Sequence, residues 1–198
     1  MTGPPSYPDL PLSRFLELLA GPDPAPSGGG AAALAVCLAA GLCAKAARLS
    51  ARQLGGEAAD LTTSTERTLA AAASLIQADA DSYRGVIAAR RTPAGIDDES
   101  RRRQIAAALS DAAEVPMQIV ELAVPVARIA ARLAAAGNPN LRGDAITAAL
   151  LAEAGARAAA ILVAINLAAA PDDDRPQRAA RLAQESASLA AGAQYPPR

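Results

Sequence analysis

The sequence contains, at residues 28–44, the uncharged stretch GGGAAALAVCLAAGLCA. Alanine is the best helix former, whereas strands prefer β-branched and aromatic residues. The stretch ends at Lys45 and is shorter than the ~20 apolar residues that a bilayer-spanning helix needs. We therefore predict a buried core helix of small residues, running from about residue 30 to 53 and ended by Gly55 and Gly56.

The rest of the chain has the same small-residue character. It has 198 residues, of which 52% are hydrophobic but only 2% aromatic, and this length suits one domain. Further helices are predicted at 13–20, 57–91, 97–136, 141–169 and 176–191, with Pro116 and Pro125 expected to kink or restart the helix at 97–136. The predicted fold is all-α, a single-domain helical bundle with long small-residue core helices over residues 12–192. Loose segments are expected at 1–11 and 193–198.

Charge and composition exclude several classes of function. The net charge is −1, with 19 basic and 20 acidic side chains, so the basic surplus of a nucleic-acid binder is missing. Residues 1–8 lack the basic-then-apolar order of a secretory signal, which predicts a cytoplasmic protein without a membrane partner.

The side chains available for chemistry are restricted. Histidine is absent, and Cys37 and Cys43, six residues apart, do not share a helix face. We therefore expect neither a metal site nor a cofactor, and any acid–base chemistry must come from carboxylates, lysine, tyrosine or bound water.

Three polar residues interrupt apolar helical patterns. Asp79 occupies an apolar position between Ile76 and Tyr83, and a buried carboxylate is costly unless it is paired. Asn166 lies in an apolar segment, where an amide must find hydrogen-bond partners. Lys45 either extends to solvent or reaches into a cleft. Each position allows a structural role as well as a functional one.

Two helix starts are unusual. Gly28, Gly29 and Gly30 follow Ser27, and free N–H groups at a helix start bind anions, although such glycines also simply permit close packing. The connection at 137–144 contains two amides, an arginine and a carboxylate: Asn138, Asn140, Arg142 and Asp144. Asn140 is a candidate N-cap, and a capped turn without chemistry is the simpler interpretation.

Five motifs in order resemble those of one enzyme family. They are Pro24–Ala31, Asp79–Tyr83, Glu114–Pro116, Gly137–Ala145 and Ile165–Leu167. Together they resemble the formiminotetrahydrofolate cyclodeaminases and the related methenyltetrahydrofolate cyclohydrolases, over about residues 12–190. The resemblance implies an all-helical homodimer that converts a one-carbon folate by acid–base catalysis, in a cleft at or near the subunit interface.

The resemblance also implies roles for individual residues. Asp144 would be the acid–base residue, with Asp79 as its partner or orienting group. Asn138, Asn140 and Asn166 would hold the pterin or the amide links, and the three glycines would offer backbone N–H groups. Lys45 and Arg142 would bind the glutamate tail. All of these residues are expected to converge on one pocket.

Some positions depart from the family pattern. Ser27 stands where the family usually has glycine, Ala31 and Gly143 where it has serine, and Leu162 where an asparagine is often found. These departures remove polar groups near the expected site. Two alternatives therefore stay open: a non-catalytic bundle that binds folate, and a purely structural helical homodimer.

Overall fold

The computed structural model describes residues 6–91 and 98–194, and every regular element in these two ranges is helical. The predicted all-α fold is confirmed. The α-helices are α1 (Leu12–Leu19), α2 (Gly28–Arg48), α3 (Ala51–Leu54), α4 (Glu57–Arg90), α5 (Asp98–Ala136), α6 (Arg142–Asn166) and α7 (Arg175–Gln194). Two short 3-10 helices span Tyr7–Asp9 and Pro139–Leu141.

Helix α2 is central to the bundle. It packs against α4, α5 and α6, and α7 packs against α5 and α6. Alanines such as Ala33, Ala39 and Ala40 are completely buried, so these helices approach each other closely. At Gly155 of α6, a Cβ atom would lie only 2.8 Å from Cγ2 of Val36 and 3.0 Å from the carbonyl oxygen of Ala32. Only glycine fits this crossing of α2 and α6.

The first long helix ends earlier than predicted. Helix α2 stops at Arg48, and the separate short helix α3 covers Ala51–Leu54. The hydroxyl of the buried Ser50 donates to the carbonyl of Ala46 (2.6 Å) and accepts the backbone N–H of Asn138 (2.8 Å). A serine that bonds to the preceding turn competes with the helical hydrogen bonds, which explains the break.

Helix α5 runs without interruption through Pro116 and Pro125, so the predicted restarts are wrong. A proline in a helix leaves the carbonyl four residues earlier without its usual N–H donor. For Pro116 that carbonyl belongs to Ala112, and it accepts a hydrogen bond from Nδ2 of Asn166 at 3.0 Å. The amide that the sequence placed in an apolar helix thus supplies the missing donor.

Parts of the predicted loose segments are packed. Tyr7 is buried: its hydroxyl donates to the carbonyl of Ala25 (3.1 Å), and its N–H donates to Oε1 of Gln77 (3.0 Å). At the other end α7 continues to Gln194. Residues 1–5 and 195–198 of these segments, and residues 92–97 between two of the predicted helices, lie outside the described residues.

Two apolar helical segments are only partly covered by the bundle. By length and composition alone, Gly28–Arg48 and Pro139–Asn166 are long and apolar enough to cross a membrane, and 56% and 44% of their most apolar windows are buried in the fold. Their uncovered sides include Leu38 and Leu150, which are 50% and 40% exposed. The bundle therefore presents an apolar surface along α2 and α6.

The close crossing at Gly155 gives a stability prediction. We expect Gly155→Val to lower the free energy of unfolding by about 1–3 kcal/mol, because the added side chain must push α2 and α6 apart. Gly85→Ala is the matched control: a Cβ there meets nothing within 4 Å, and it should stabilise α4 by about 0.5–1 kcal/mol.

Urea denaturation of both variants at equal protein concentration measures the difference. A Gly155→Val protein as stable as the unmodified chain would contradict the tight crossing.

Candidate functional site

Asp79 of α4 lies against the N-terminus of α2. Its side chain is buried, as its sequence position predicted, with 8% exposed. Oδ2 accepts the backbone N–H of Gly30 (2.9 Å) and the hydroxyl of Ser27 (3.2 Å). The first N–H groups of a helix have no partner within the helix. The carboxylate therefore satisfies one of these groups and joins α4 to α2.

Gly29 permits this contact. A Cβ atom built there would lie 1.9 Å from Oδ1 and 2.4 Å from Cγ of Asp79, which no side chain can tolerate. The neighbouring Gly28 is open, since a Cβ there meets nothing within 4 Å. The middle glycine is thus required by the close approach of the carboxylate.

The surroundings of Asp79 favour its protonated form. Burial raises the pKa of this carboxyl above its ordinary value of 3.8, while the hydrogen bonds from Gly30 and Ser27 oppose the rise without cancelling it. Oδ1 accepts no hydrogen bond from the residues that the structure describes. A carboxyl with a raised pKa and a free oxygen is suited to exchanging a proton with a ligand.

A cavity of about 170 Å³ opens beside Asp79. One wall is apolar, and Asn166 and Ser82 add polar groups. Tyr83, which is 40% exposed, stands at its edge. The apolar wall consists of Ala112, Pro116, Leu162 and Ile165. Pockets for drug-sized ligands usually measure about 300–1,000 Å³, so this cavity holds one end of a larger molecule.

Other cavities in the described part of the chain are larger, notably one of about 390 Å³ between α6 and α7. Half of its lining residues are alanine, Glu153 and Arg157 lie 3.4 Å from each other in it, and it contains none of the residues that the sequence singled out. We therefore take the Asp79 cavity as the candidate site because of the side chains that line it, although it is the smaller of the two.

A second group of predicted residues lies near the other end of α2. Nζ of Lys45 is 2.7 Å from Oδ2 of Asp144. Asn138 donates through Nδ2 to the carbonyl of Leu49 (3.1 Å), and its Oδ1 accepts the N–H of Asn140 (3.0 Å). The residue that caps the 3-10 helix Pro139–Leu141 is therefore Asn138. The prediction that Asn140 is the N-cap is wrong.

Arg142 points away from this group. It donates to the carbonyls of Ala193 and Gln194, both at 3.5 Å, near the end of α7. Its predicted role at the glutamate tail has no support in this position.

The predicted convergence on one pocket is therefore wrong within a single chain. Gly30 and Lys45 are fifteen residues apart on one helix, which separates them by roughly 22 Å along its axis. The residues form two groups. The Asp79 site contains Ser27, Gly28, Gly29, Gly30, Asp79, Tyr83 and Asn166, and the Lys45 site contains Lys45, Asn138, Asn140 and Asp144.

Some residues of the Asp79 site were not assigned from the sequence. Ser27 had counted only as a departure from the family pattern, yet its hydroxyl bonds to Asp79. Its position before a helix start was the available signal, because serine at such positions often hydrogen-bonds to nearby groups. Ser82 and Pro116, which also line the cavity, lie within two of the five family motifs, but neither had an assigned role.

The Asp79–Gly29 contact gives a prediction with an adjacent control. We expect Gly29→Ala to lower the free energy of unfolding by about 1–3 kcal/mol, because the methyl group displaces the carboxylate from Gly30. Gly28→Ala should change it by less than about 0.5 kcal/mol. Urea denaturation of the two variants tests this, and equal effects would contradict the contact.

Comparison with known proteins shows the family to which the chain belongs. Residues 11–185 match the family described as Formiminotransferase-cyclodeaminase. A protein named methenyltetrahydrofolate cyclohydrolase, from Methylorubrum extorquens, is 33% identical over 186 residues, which cover 90% of this chain and 88% of that protein.

A solved structure has the same fold. The crystal structure of formiminotetrahydrofolate cyclodeaminase from Thermotoga maritima superposes with a TM-score of 0.78 and 24% sequence identity, covering 93% of this chain and 92% of that one. The family match, the extent of the identity and the shared fold agree with the resemblance seen in the five motifs. The chain belongs to the formiminotransferase-cyclodeaminase family.

Proposed function

We propose that this protein is a methenyltetrahydrofolate cyclohydrolase, which adds water to the methenyl carbon and opens the ring to a formyl-tetrahydrofolate. The relative of that name, 33% identical along nearly the whole chain, supports the substrate class. The structural observation that carries the proposal is the buried carboxyl of Asp79, with a raised pKa and a free oxygen beside a cavity.

The reaction needs one group that first accepts and then donates a proton. Water adds to the methenyl carbon while Oδ1 of Asp79 takes a proton from it. The adduct then loses its remaining hydroxyl proton to solvent water as the formyl C=O forms and the bond from that carbon to a ring nitrogen breaks. Asp79 gives the proton that it took to this nitrogen. Burial raises the pKa of this carboxyl, which makes it a better proton acceptor when ionised, and neither step requires a metal or a cofactor.

This assignment exchanges the roles expected for the two aspartates. Asp144 is ion-paired with Lys45, so its carboxylate is already engaged. Asp79 is held through Oδ2 alone. We therefore assign acid–base catalysis to Asp79. The role that we assign to Asp144 is to position Lys45 through their ion pair.

Two residues at the cavity are suited to the pterin. Nδ2 of Asn166 donates a hydrogen bond to the carbonyl of Ala112, and the amide oxygen of Asn166 is left to accept a hydrogen bond from a ring N–H of the pterin. Tyr83 offers an exposed aromatic face at the cavity edge, and aromatic faces stack on planar rings.

We further propose that the active unit is a homodimer built on α2. Ala31, Leu38 and Lys45 recur every seven residues and therefore share one helix face, which is at least partly exposed. Leu69 of α4 and Leu150 of α6 add apolar surface on either side. An exposed apolar surface of this kind is typical of an interface.

A twofold axis would join the two sites. Leu38 is the midpoint of α2, and an isologous dimer places the same patch on both subunits. If the two α2 helices pack antiparallel about Leu38, Lys45 of one subunit comes beside Gly28–Gly30 of the other. The small Asp79 cavity would then be completed by the Lys45 site of the partner subunit, with Lys45 as a hydrogen-bond donor to the substrate.

The catalytic role of Asp79 is tested with methenyl-tetrahydrofolate, whose near-ultraviolet absorbance disappears on hydrolysis. We expect the protein to accelerate this loss and Asp79→Asn to slow it by about 10²–10⁴-fold. The rate should decrease as the pH is lowered, because Asp79 must be ionised to accept a proton. The midpoint of this decrease should lie above pH 3.8, since burial raises the pKa of Asp79.

Ser27→Ala sharpens the test. It removes a hydrogen bond that lowers the pKa of Asp79, so the acidic limb should move to higher pH. An Asp79→Asn rate within a few-fold of the unmodified protein excludes the role. Binding without loss of absorbance identifies a non-catalytic folate binder, no binding identifies a structural protein, and reaction with formimino-tetrahydrofolate alone identifies a cyclodeaminase.

The dimer is tested by placing a charge on the face of α2. We expect Leu38→Glu to give a folded monomer with at least about tenfold lower activity, because a charge cannot be buried unpaired at the axis. Leu16→Glu on α1 is the control, since Leu16 is 49% exposed and Leu38 is 50% exposed.

Sedimentation and circular dichroism, combined with the absorbance assay, separate association from folding. A Leu38→Glu protein that is still dimeric and active would contradict an interface on α2.

A further inference from the structure

The side-chain amide of Asn166 is held in one orientation by the carbonyl of Ala112. Its Nδ2 donates to that carbonyl at 3.0 Å. A carbonyl oxygen only accepts hydrogen bonds, so turning the amide by 180° would set two oxygens against each other. The amide oxygen is bonded to none of the described residues, and Asn166 lines the Asp79 cavity. A ligand in this cavity therefore meets a hydrogen-bond acceptor at Asn166, and not a donor.

The carbonyl of Ala112 is available because residue 116 is proline. In a regular α-helix the carbonyl of residue 112 accepts the N–H of residue 116, and proline has no N–H. The ring of a proline also clashes with that carbonyl and displaces it from the helical direction. Pro116 therefore frees the acceptor that orients the amide of Asn166.

The neighbouring turn of α5 is anchored by another residue. Arg175, at the start of α7, donates through Nη1 to the carbonyl of Ser110 (3.0 Å) and through Nη2 to the hydroxyl of Ser110 (2.7 Å). These bonds tie α5 to α7 two residues before Ala112. The position of the Ala112 carbonyl therefore does not depend on Asn166 alone.

A purely structural account is that Asn166 merely repairs the helix at Pro116. The same helix contains Pro125, which likewise leaves the carbonyl of Glu121 without its usual N–H donor. No side chain in the described part of the chain donates to that carbonyl, and α5 nevertheless continues to Ala136. Helix α5 thus tolerates a proline without such a repair, and the repaired proline is the one that lines the cavity.

We propose that Pro116 is a positioning residue for the substrate, an inference that rests on the proposed function. It keeps the amide of Asn166 with its oxygen available to the ligand, so that the site selects a pterin edge that offers an N–H. Less than 2% of Pro116 is exposed, so it acts through Asn166 and not by contact with the ligand. With an N–H at residue 116, the carbonyl of Ala112 regains its helical donor, and the amide is free to turn either side to the pterin.

A double-mutant cycle measures whether Pro116 acts through Asn166. Asn166→Ala removes the acceptor, and we expect KM for methenyl-tetrahydrofolate to rise about tenfold, with kcat changed by less than about threefold. Pro116→Ala restores the helical N–H and should raise KM at least about twofold, because the acceptor is then presented for only part of the time. In the Asn166→Ala background the same change at residue 116 should leave KM unchanged.

Pro125→Ala is the matched control. It makes the same substitution in the same helix, roughly 13 Å further along the axis. It should leave KM unchanged in both backgrounds. Circular dichroism checks that each variant is folded, and Pro116→Val, which restores the same N–H with a larger side chain, replaces Pro116→Ala if the latter is not.

Nuclear magnetic resonance of the side-chain amides gives a readout that does not need turnover. The resonances of Asn166 are identified by their loss in Asn166→Ala. Its amide protons should exchange with solvent at least about fivefold faster in Pro116→Ala than in the unmodified protein or in Pro125→Ala, because they lose their acceptor.

Three results overturn the proposal: an unchanged KM in Pro116→Ala, a KM effect of this variant that persists without Asn166, or equal exchange rates in all three proteins. If no substrate is turned over, the proposed function fails. Calorimetric titration with tetrahydrofolate then replaces KM in the same cycle, and the exchange rates test the orientation of Asn166 by themselves.

Discussion

The contact between Asp79 and the glycine start of α2 is the constraint on which the rest of the structure depends. It joins α2, the central helix of the bundle, to α4 through the N–H group of Gly30, which would otherwise have no acceptor. The same burial that makes the contact possible raises the pKa of the carboxyl. One interaction thus stabilises the fold and, in the proposed mechanism, prepares the proton-transfer group, and Gly29 is the residue that allows the contact.

Much of this arrangement could be predicted from the chain alone. Alanine-rich periodicity predicted the helices, and the apolar neighbours of Asp79 predicted its burial, whereas Asn166 is only partly buried. What the pattern could not supply was the identity of the partners. Pro116 predicts a broken helix until Asn166, fifty residues further on, is found to bond the carbonyl that the proline leaves free. Ser50 likewise ends α2 through contacts with a distant turn.

The separation of the two polar sites is a different case. It follows from the helix rise alone, since Gly30 and Lys45 belong to one predicted helix, and the family motifs led us to expect a single pocket nevertheless. The separation of the two sites in one chain favours the proposed homodimer. A cavity of about 170 Å³ is too small for a folate, and the residues that would complete it in the proposed dimer lie at the other end of α2, which has one partly exposed face. A twofold axis through the middle of α2 reconciles both facts, because it exchanges the two ends.

The most direct test of this account uses mixed dimers with one lesion in each subunit. Asp79→Asn and Lys45→Met chains with different tags are expressed together, and the dimers that carry both tags are isolated. If each site combines Asp79 of one subunit with Lys45 of the other, one of the two sites is intact, and about half of the unmodified activity is expected. If each site lies within one chain, both sites carry a lesion. Activity no higher than half that of the Lys45→Met dimer would then contradict the account.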